Sequence, residues 1–179
     1  MKTVDGIDFA SEFSAPARRV ASKAKRKSNR WLLEFVRSTT LFIIATVNGD
    51  GSLNTSIRGG PSGFLKVTDG ELEFTEESGN MLFETAKAVQ DNPDVGLLLI
   101  VPGIYEVVRI RGKAAVAVRS HASDGKCLAW RITITEWYYH CGRALKRSGI
   151  FKPDVVANDV ELKGALTKFV RDSDSFEGL

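Results

Sequence analysis

The stretch over residues 41–67, LFIIATVNGDGSLNTSIRGGPSGFLKV, constrains the fold more than any other. Residues 41–47 form a short apolar run rich in β-branched side chains, which predicts a buried strand. Asn48-Gly49-Asp50-Gly51 follows with residues that tolerate positive φ, as a tight hairpin requires. A second strand over 53–57 ends on Arg58. Gly59-Gly60-Pro61-Ser62-Gly63 then breaks the ladder, and residues 64–67 resume it with Lys66 inside. Arg58 and Lys66 therefore flank a loop of little side-chain bulk. Such a loop lets an anion approach backbone amides while fixed positive charge meets it from the sides. An ordinary ion pair on Arg58, with glycines that only serve turns, is the other reading, and the residues alone leave both open.

A length of 179 residues suits one domain able to bury most of its apolar surface without staples. The net charge of +3 and a pI near 8.9 are mildly basic: they accommodate an anionic ligand without demanding nucleic acid. The longest apolar runs are too short to span a bilayer, and no apolar signal segment opens the chain. Two cysteines, Cys127 and Cys141, make no disulfide framework, so a reducing cytoplasm is the expected setting.

Along the chain, residues 1–14 read as a loose lead-in and 16–37 as a basic helical arm carrying Arg18, Arg19, Lys23, Lys25, Arg26, Lys27 and Arg30. Within it Ser28-Asn29 caps a helix over 30–37, with Trp31, Leu32 and Phe35 on one face. A solvated helix or mobile arm is the first reading of this run; contact with nucleic acid or an anionic membrane is the second, without the interleaved aromatics and second basic cluster such a surface calls for. Leu72 and Phe74 alternate with Glu71, Glu73 and Thr75 in a half-exposed strand. A helix over 81–90 follows, with Asn80 as N-cap and Asp91-Asn92-Pro93 as its stop. Residues 95–101 read as a central strand, and 105–118 as a long one with Gly112 at a bulge. Another strand spans 127–135, then a helix over 136–148 from Thr135 to a stop at Gly149. A linker over 152–158 leads to an amphipathic helix over 160–171. The result is about seven strands joined by short turns, hence antiparallel pairing in a closed or nearly closed barrel with the division 1–37 and 38–179.

No GxGxxG follows a strand, and the glycine loop lacks GxxxxGK[ST] spacing, so neither dinucleotide-fold nor P-loop chemistry is supported. Two histidines, His121 and His140, are too few for a dedicated zinc site. His140-Cys141 as a base and nucleophile is poor on a helix, where neighbours project about 100° apart. A packed Cys141 and a helix-surface or interface His140 are expected instead.

Taken together, Thr46-Val47-Asn48, Asp50-Gly51, Ser56, Arg58-Gly59-Gly60-Pro61, Gly63-Phe64 and Lys66-Val67 resemble the pyridoxamine 5'-phosphate oxidase-like family, in its branch with an Arg-Gly-Gly-Pro loop. The resemblance continues through Gly79-Asn80, Asn92-Pro93, Pro102-Gly103, Glu106, Arg109 and Gly112 to Thr135-Glu136, His140-Cys141, Ala144-Leu145 and Arg147-Ser148. It implies a mainly β fold with peripheral helices, a six-stranded antiparallel split barrel. It also implies a homodimer with flavin mononucleotide (FMN) in a cleft at the subunit interface. Ser56, Arg58, Gly59, Gly60, Lys66 and Thr75 would face the flavin. Asn80, Thr85 and Lys87 would help hold its phosphate at a helix start, and Arg147 and Ser148 would reach the partner's cofactor. The resemblance implies an oxidoreductase for a small molecule. A non-catalytic module for flavin, haem or deazaflavin is the alternative. The phosphate helix reads Phe83-Glu84-Thr85-Ala86-Lys87 where better-studied oxidases carry Ser-Arg-Lys, and residues 172–179 are acidic, which argues against pyridoxamine phosphate itself as substrate.

Overall fold

The computed structural model describes residues 25, 27–68, 70–76, 82–120 and 125–152. The expected lead-in, His121, Asn80, the 160–171 helix and the acidic tail lie outside them. The chain divides into two compact units, Met1–His140 and Cys141–Leu179.

In the first unit, helix α1 (Arg30–Ser38) precedes strands β1 (Leu41–Val47), β2 (Leu53–Gly59), β3 (Lys66–Thr68) and β4 (Glu71–Glu76). Helix α2 (Glu84–Asp91) then leads to β5 (Asp94–Ile100), β6 (Val107–Ser120) and β7 (Lys126–His140). The strands form one antiparallel sheet in the order β2-β1-β5-β6-β7-β4-β3, with β2 and β3 at its edges. The expected mainly β split-barrel class holds. The sheet carries seven strands, one more than the six the resemblance implied, because the chain after the glycine loop pairs briefly as β3.

The opening hairpin forms as its residues dictate: β1 and β2 pair from Leu41↔Gly59 to Val47↔Leu53, and Gly51 takes φ +85° in the turn. Phe42, Ile44 and Thr46 point into the core from β1, and Val95, Leu97 and Leu99 do so from β5 beside it. Asn29 caps α1, its Oδ1 accepting from Leu32 N at 2.9 Å. That cap orients Leu32, Phe35 and Val36 into the core, where each side chain contributes about 1.5–3 kcal/mol relative to exposure. Helix α1 thus packs its apolar face into the core beside the sheet. Trp31 stays 43% exposed at the rim and stacks on Trp137 at 6.2 Å.

One expected element is overturned. Residues 136–140 continue β7 instead of starting a helix at Thr135, and a helix occupies only Arg143–Ser148 (α3), in the second unit. The cause is a bulge. Arg111 pairs with Glu136 but Gly112 pairs with Ile134, so Thr135 is the extra residue on β7. Inward residues Trp130, Ile132 and Ile134 are therefore followed by Trp137, and that three-residue step imitates a helical period. The bulge at Gly112 itself is as expected. A Cβ there would stand 2.6 Å from the Thr133 carbonyl oxygen. His140 thus sits exposed at a strand end, and Cys141, expected to be packed, is exposed, while Cys127 is the buried thiol. Gly149 ends α3 at φ +64°, as expected. No helix among the described residues is long and apolar enough to cross a membrane.

Candidate functional site

Strand β2 inverts the usual alternation of a sheet edge. Its apolar residues Leu53 and Ile57 are 79% and 64% exposed, while Asn54, Ser56 and Arg58 are half-buried on the other side. That polar side faces a cleft of about 720 Å³. Its remaining walls are the glycine loop with Phe64, the end of β4 (Phe74, Thr75, Glu76) and residues 82–86 at the start of α2.

Arg58 is the centre of this cleft. Its Nη1 donates to Ser56 Oγ at 2.5 Å and to the Ile57 carbonyl at 3.1 Å. Its Nη2 donates to Thr85 Oγ1 at 3.3 Å and forms an ion pair with Glu76 Oε1 at 2.8 Å. The Nε atom is buried and has no acceptor among the described residues. A buried donor left without a partner costs about 1–3 kcal/mol. Glu76 is held a second time: Trp130 Nε1 donates to its Oε2 at 2.8 Å, and the indole is buried and stacked on Phe74 at 5.4 Å. Buried Thr85 joins β2 to α2 by also accepting from Asn54 Nδ2 at 3.3 Å.

The loop glycines have a packing reason. A Cβ on Gly60 would lie 2.7 Å from Phe64 Cγ, and Phe64 is the ring that stacks on Phe42 at 5.8 Å. Helix α2 starts later than expected, at Glu84. Its N-cap is Phe83, a bulky residue held at φ 54°, ψ 24°, with no side-chain capping bond. That left-handed conformation costs a non-glycine residue roughly 1–2 kcal/mol, and it sits on the cleft wall. The expected cap, Asn80, lies outside the described residues.

Of the residues singled out in the sequence, Ser56, Arg58, Gly59, Gly60, Thr75 and Thr85 line this one cleft. Lys66 does not join them. It lines a neighbouring cleft of about 420 Å³ with Glu73, Arg119 and Arg131. Lys87, the residue after cleft-lining Ala86, lines a third recess of about 500 Å³ with Phe83, Val118, Lys126 and Leu128. Arg147 and Ser148 are on α3 of the second unit, where Ser148 Oγ donates to the Leu145 carbonyl at 3.0 Å. Glu76, Asn54, Trp130 and Phe83 went unrecognised in the sequence. Glu76 carried a signal: it shares strand parity with core residues Leu72 and Phe74, and a carboxylate in that phase needs a partner. No group of three or more His, Cys, Asp or Glu side chains able to hold a metal occurs among the described residues.

An antiparallel split-barrel sheet with a polar cleft of cofactor size along one edge strand defines the class. The profile of the family described as pyridoxamine 5'-phosphate oxidase matches residues 30–161, and the chain belongs to that family. Among solved structures, a conserved hypothetical protein from Mycobacterium tuberculosis is similar at 18% identity, covering 70% of this chain and 91% of its own, with a TM-score of 0.50. A putative pyridoxamine 5'-phosphate oxidase from Lactobacillus delbrueckii is similar at 17% identity, covering 64% and 95% of the two chains, with a TM-score of 0.48. A FAD-binding protein from Mesorhizobium loti is similar at 12% identity over 66% and 99%, with a TM-score of 0.45. At such identities the likeness concerns the fold. The comparison with curated proteins gave no match.

Proposed function

We propose that this chain is an FMN-binding flavoprotein and an oxidoreductase for a small molecule, working as a homodimer with the flavin at the subunit interface. The observation that carries the reading is Arg58: a guanidinium with an unpartnered, buried Nε, facing a cleft of about 720 Å³ in a member of this family. Ligand sites of about 300–1,000 Å³ take cofactor-sized molecules, so the space fits. The donors fit too. Arg58 offers Nε, and the α2 N-terminus opens on the cleft with no side-chain cap at Phe83.

Arg58, Ser56, Thr75 and Thr85 would hold FMN, with Gly59 and Gly60 leaving room beside the loop. Bound FMN supplies the redox chemistry through its ring, so the protein needs no nucleophile of its own. The chain's contribution is electrostatic and steric. Arg58 lends positive charge to whatever negative charge develops in the cleft, and Phe64, Phe74 and Phe83 give its walls apolar surface. The exposed apolar row of β2, Leu53 and Ile57, supports the homodimer reading, since an edge strand with that surface invites cover.

The test is the visible spectrum of the purified protein, with added FMN and then a nicotinamide cofactor or dithionite. The expected outcome is a flavin spectrum that bleaches on reduction, from a species of dimer size on a sizing column. A protein that is colourless once excess FMN has been added and the free flavin removed by gel filtration, or that shows a Soret band instead, overturns the reading.

A further inference from the structure

The charged side chains lining the Arg58 cleft, among the described residues, are Arg58, Glu76 and Glu84. One cation stands against two anions, so the cleft does not attract a phosphate by net charge. The guanidinium is also already engaged by Glu76, at 2.8 Å. We propose that Glu76 is a specificity-determining residue: it is the cleft's resident anion, and a ligand binds through Arg58 only when its own anionic group displaces the Glu76 carboxylate.

Two features let the carboxylate yield. Its Oε2 keeps a bond from Trp130 Nε1 at 2.8 Å that does not involve Arg58, so a displaced Glu76 is not stranded. Glu76 also lines the third recess, whose lining includes Lys87 and Lys126. A third feature favours the incoming ligand. Glu76 occupies Nη2 and leaves the buried Nε unsatisfied. A group with several oxygens on one centre, a phosphate monoester or diphosphate, can accept from Nε and Nη2 together, as the planar guanidinium fork favours. Glu76 therefore lowers the affinity for every anion and leaves a neutral ligand of the same shape almost untouched. This residue thereby narrows the gap in affinity between a phosphorylated flavin and riboflavin.

This inference rests on the flavin reading for the ligand's identity, so the experiment carries a flavin-free probe. Affinities for FMN, riboflavin and inorganic pyrophosphate are measured by calorimetry at fixed ionic strength for the wild type, Glu76→Gln and Trp130→Phe. Removing one nearby like charge is expected to tighten FMN and pyrophosphate binding to Glu76→Gln about tenfold or more, with riboflavin changed less than about threefold. Trp130→Phe keeps the ring and removes the carboxylate's other anchor, so FMN and pyrophosphate are expected to bind several-fold more weakly. Tightening of pyrophosphate with no FMN binding to any protein supports Glu76 and overturns the flavin reading. Unchanged or weaker binding of pyrophosphate and FMN to Glu76→Gln overturns the inference. So does equal tightening of riboflavin. If Glu76→Gln fails to fold, tighter or unchanged binding to Trp130→Phe overturns it.

Discussion

Replacing Arg58 by alanine separates the ligand-binding role of the guanidinium from its structural one. The substitution removes the donors to Ser56, Thr85 and the Ile57 carbonyl and the ion pair to Glu76. Within the protein the loss is cushioned. Thr85 Oγ1 keeps Asn54, Glu76 keeps Trp130, and the Arg58 and Glu76 side chains are 16% and 25% exposed, so water reaches both. The expected stability cost is about 1 kcal/mol, well below that of stranding a fully buried charge. For FMN the loss is larger. One charged hydrogen bond is worth about 1.5–3 kcal/mol, or roughly ten- to a hundredfold in affinity. Glu76 left without Arg58 adds repulsion, which puts the effect at the upper end of that range. Flavin fluorescence quenching gives the affinity and urea denaturation the stability. Arg58→Lys is expected to fall between alanine and wild type, since it keeps the charge and loses the fork. An alanine variant that binds FMN within twofold of wild type refutes the reasoning.

Gly112→Ala drives a Cβ toward the Thr133 carbonyl oxygen, 2.6 Å away, and Ile132 Cγ2, 2.7 Å away, and is expected to destabilise by about 1–3 kcal/mol in chemical denaturation. Gly96→Ala is the control: nothing lies within 4 Å of its Cβ, and it is expected to be neutral or to stabilise by up to about 1 kcal/mol. The Asp50 carboxyl is held below the usual carboxylate range by the Ser52 hydroxyl first and the Ser52 backbone N–H second. A depressed folded value means that this hairpin turn is stabilised above the ordinary range and loses that contribution as pH falls through the folded value. Ser52→Ala is expected to move the Asp50 titration, followed by carboxyl NMR, back toward the ordinary range. No movement would remove the hydroxyl as its cause.

Much of the fold was legible where local chemistry and tertiary packing agree. The Asn48–Gly51 turn, the Asn29 cap, the Gly112 bulge and the Gly149 stop each follow from what one or two residues permit. The end of β7 was not legible, since a bulge sets two inward residues three apart and strand and helix periods then coincide. The site divides the same way. Arg58, Ser56 and the glycine loop are neighbours in sequence and converge as their spacing suggests. Glu76 and Trp130 come from separate strands, and their pairing depends on β4 lying beside β7. Lys66 and Lys87 have the right charge but line other recesses.

The extra residue at Thr135 puts the two ends of one long strand out of step by half a wavelength. Were that residue kept and the strand paired without a bulge, Trp137, now 1% exposed and bonded through Nε1 to the Lys27 carbonyl at 3.0 Å, would be carried to the opposite side of the sheet. The segment before α1 would then lose its clasp on the strand, because Lys25 exchanges both backbone bonds with Trp137 at 2.8 Å. A single-residue irregularity is what tethers Lys25 to the barrel.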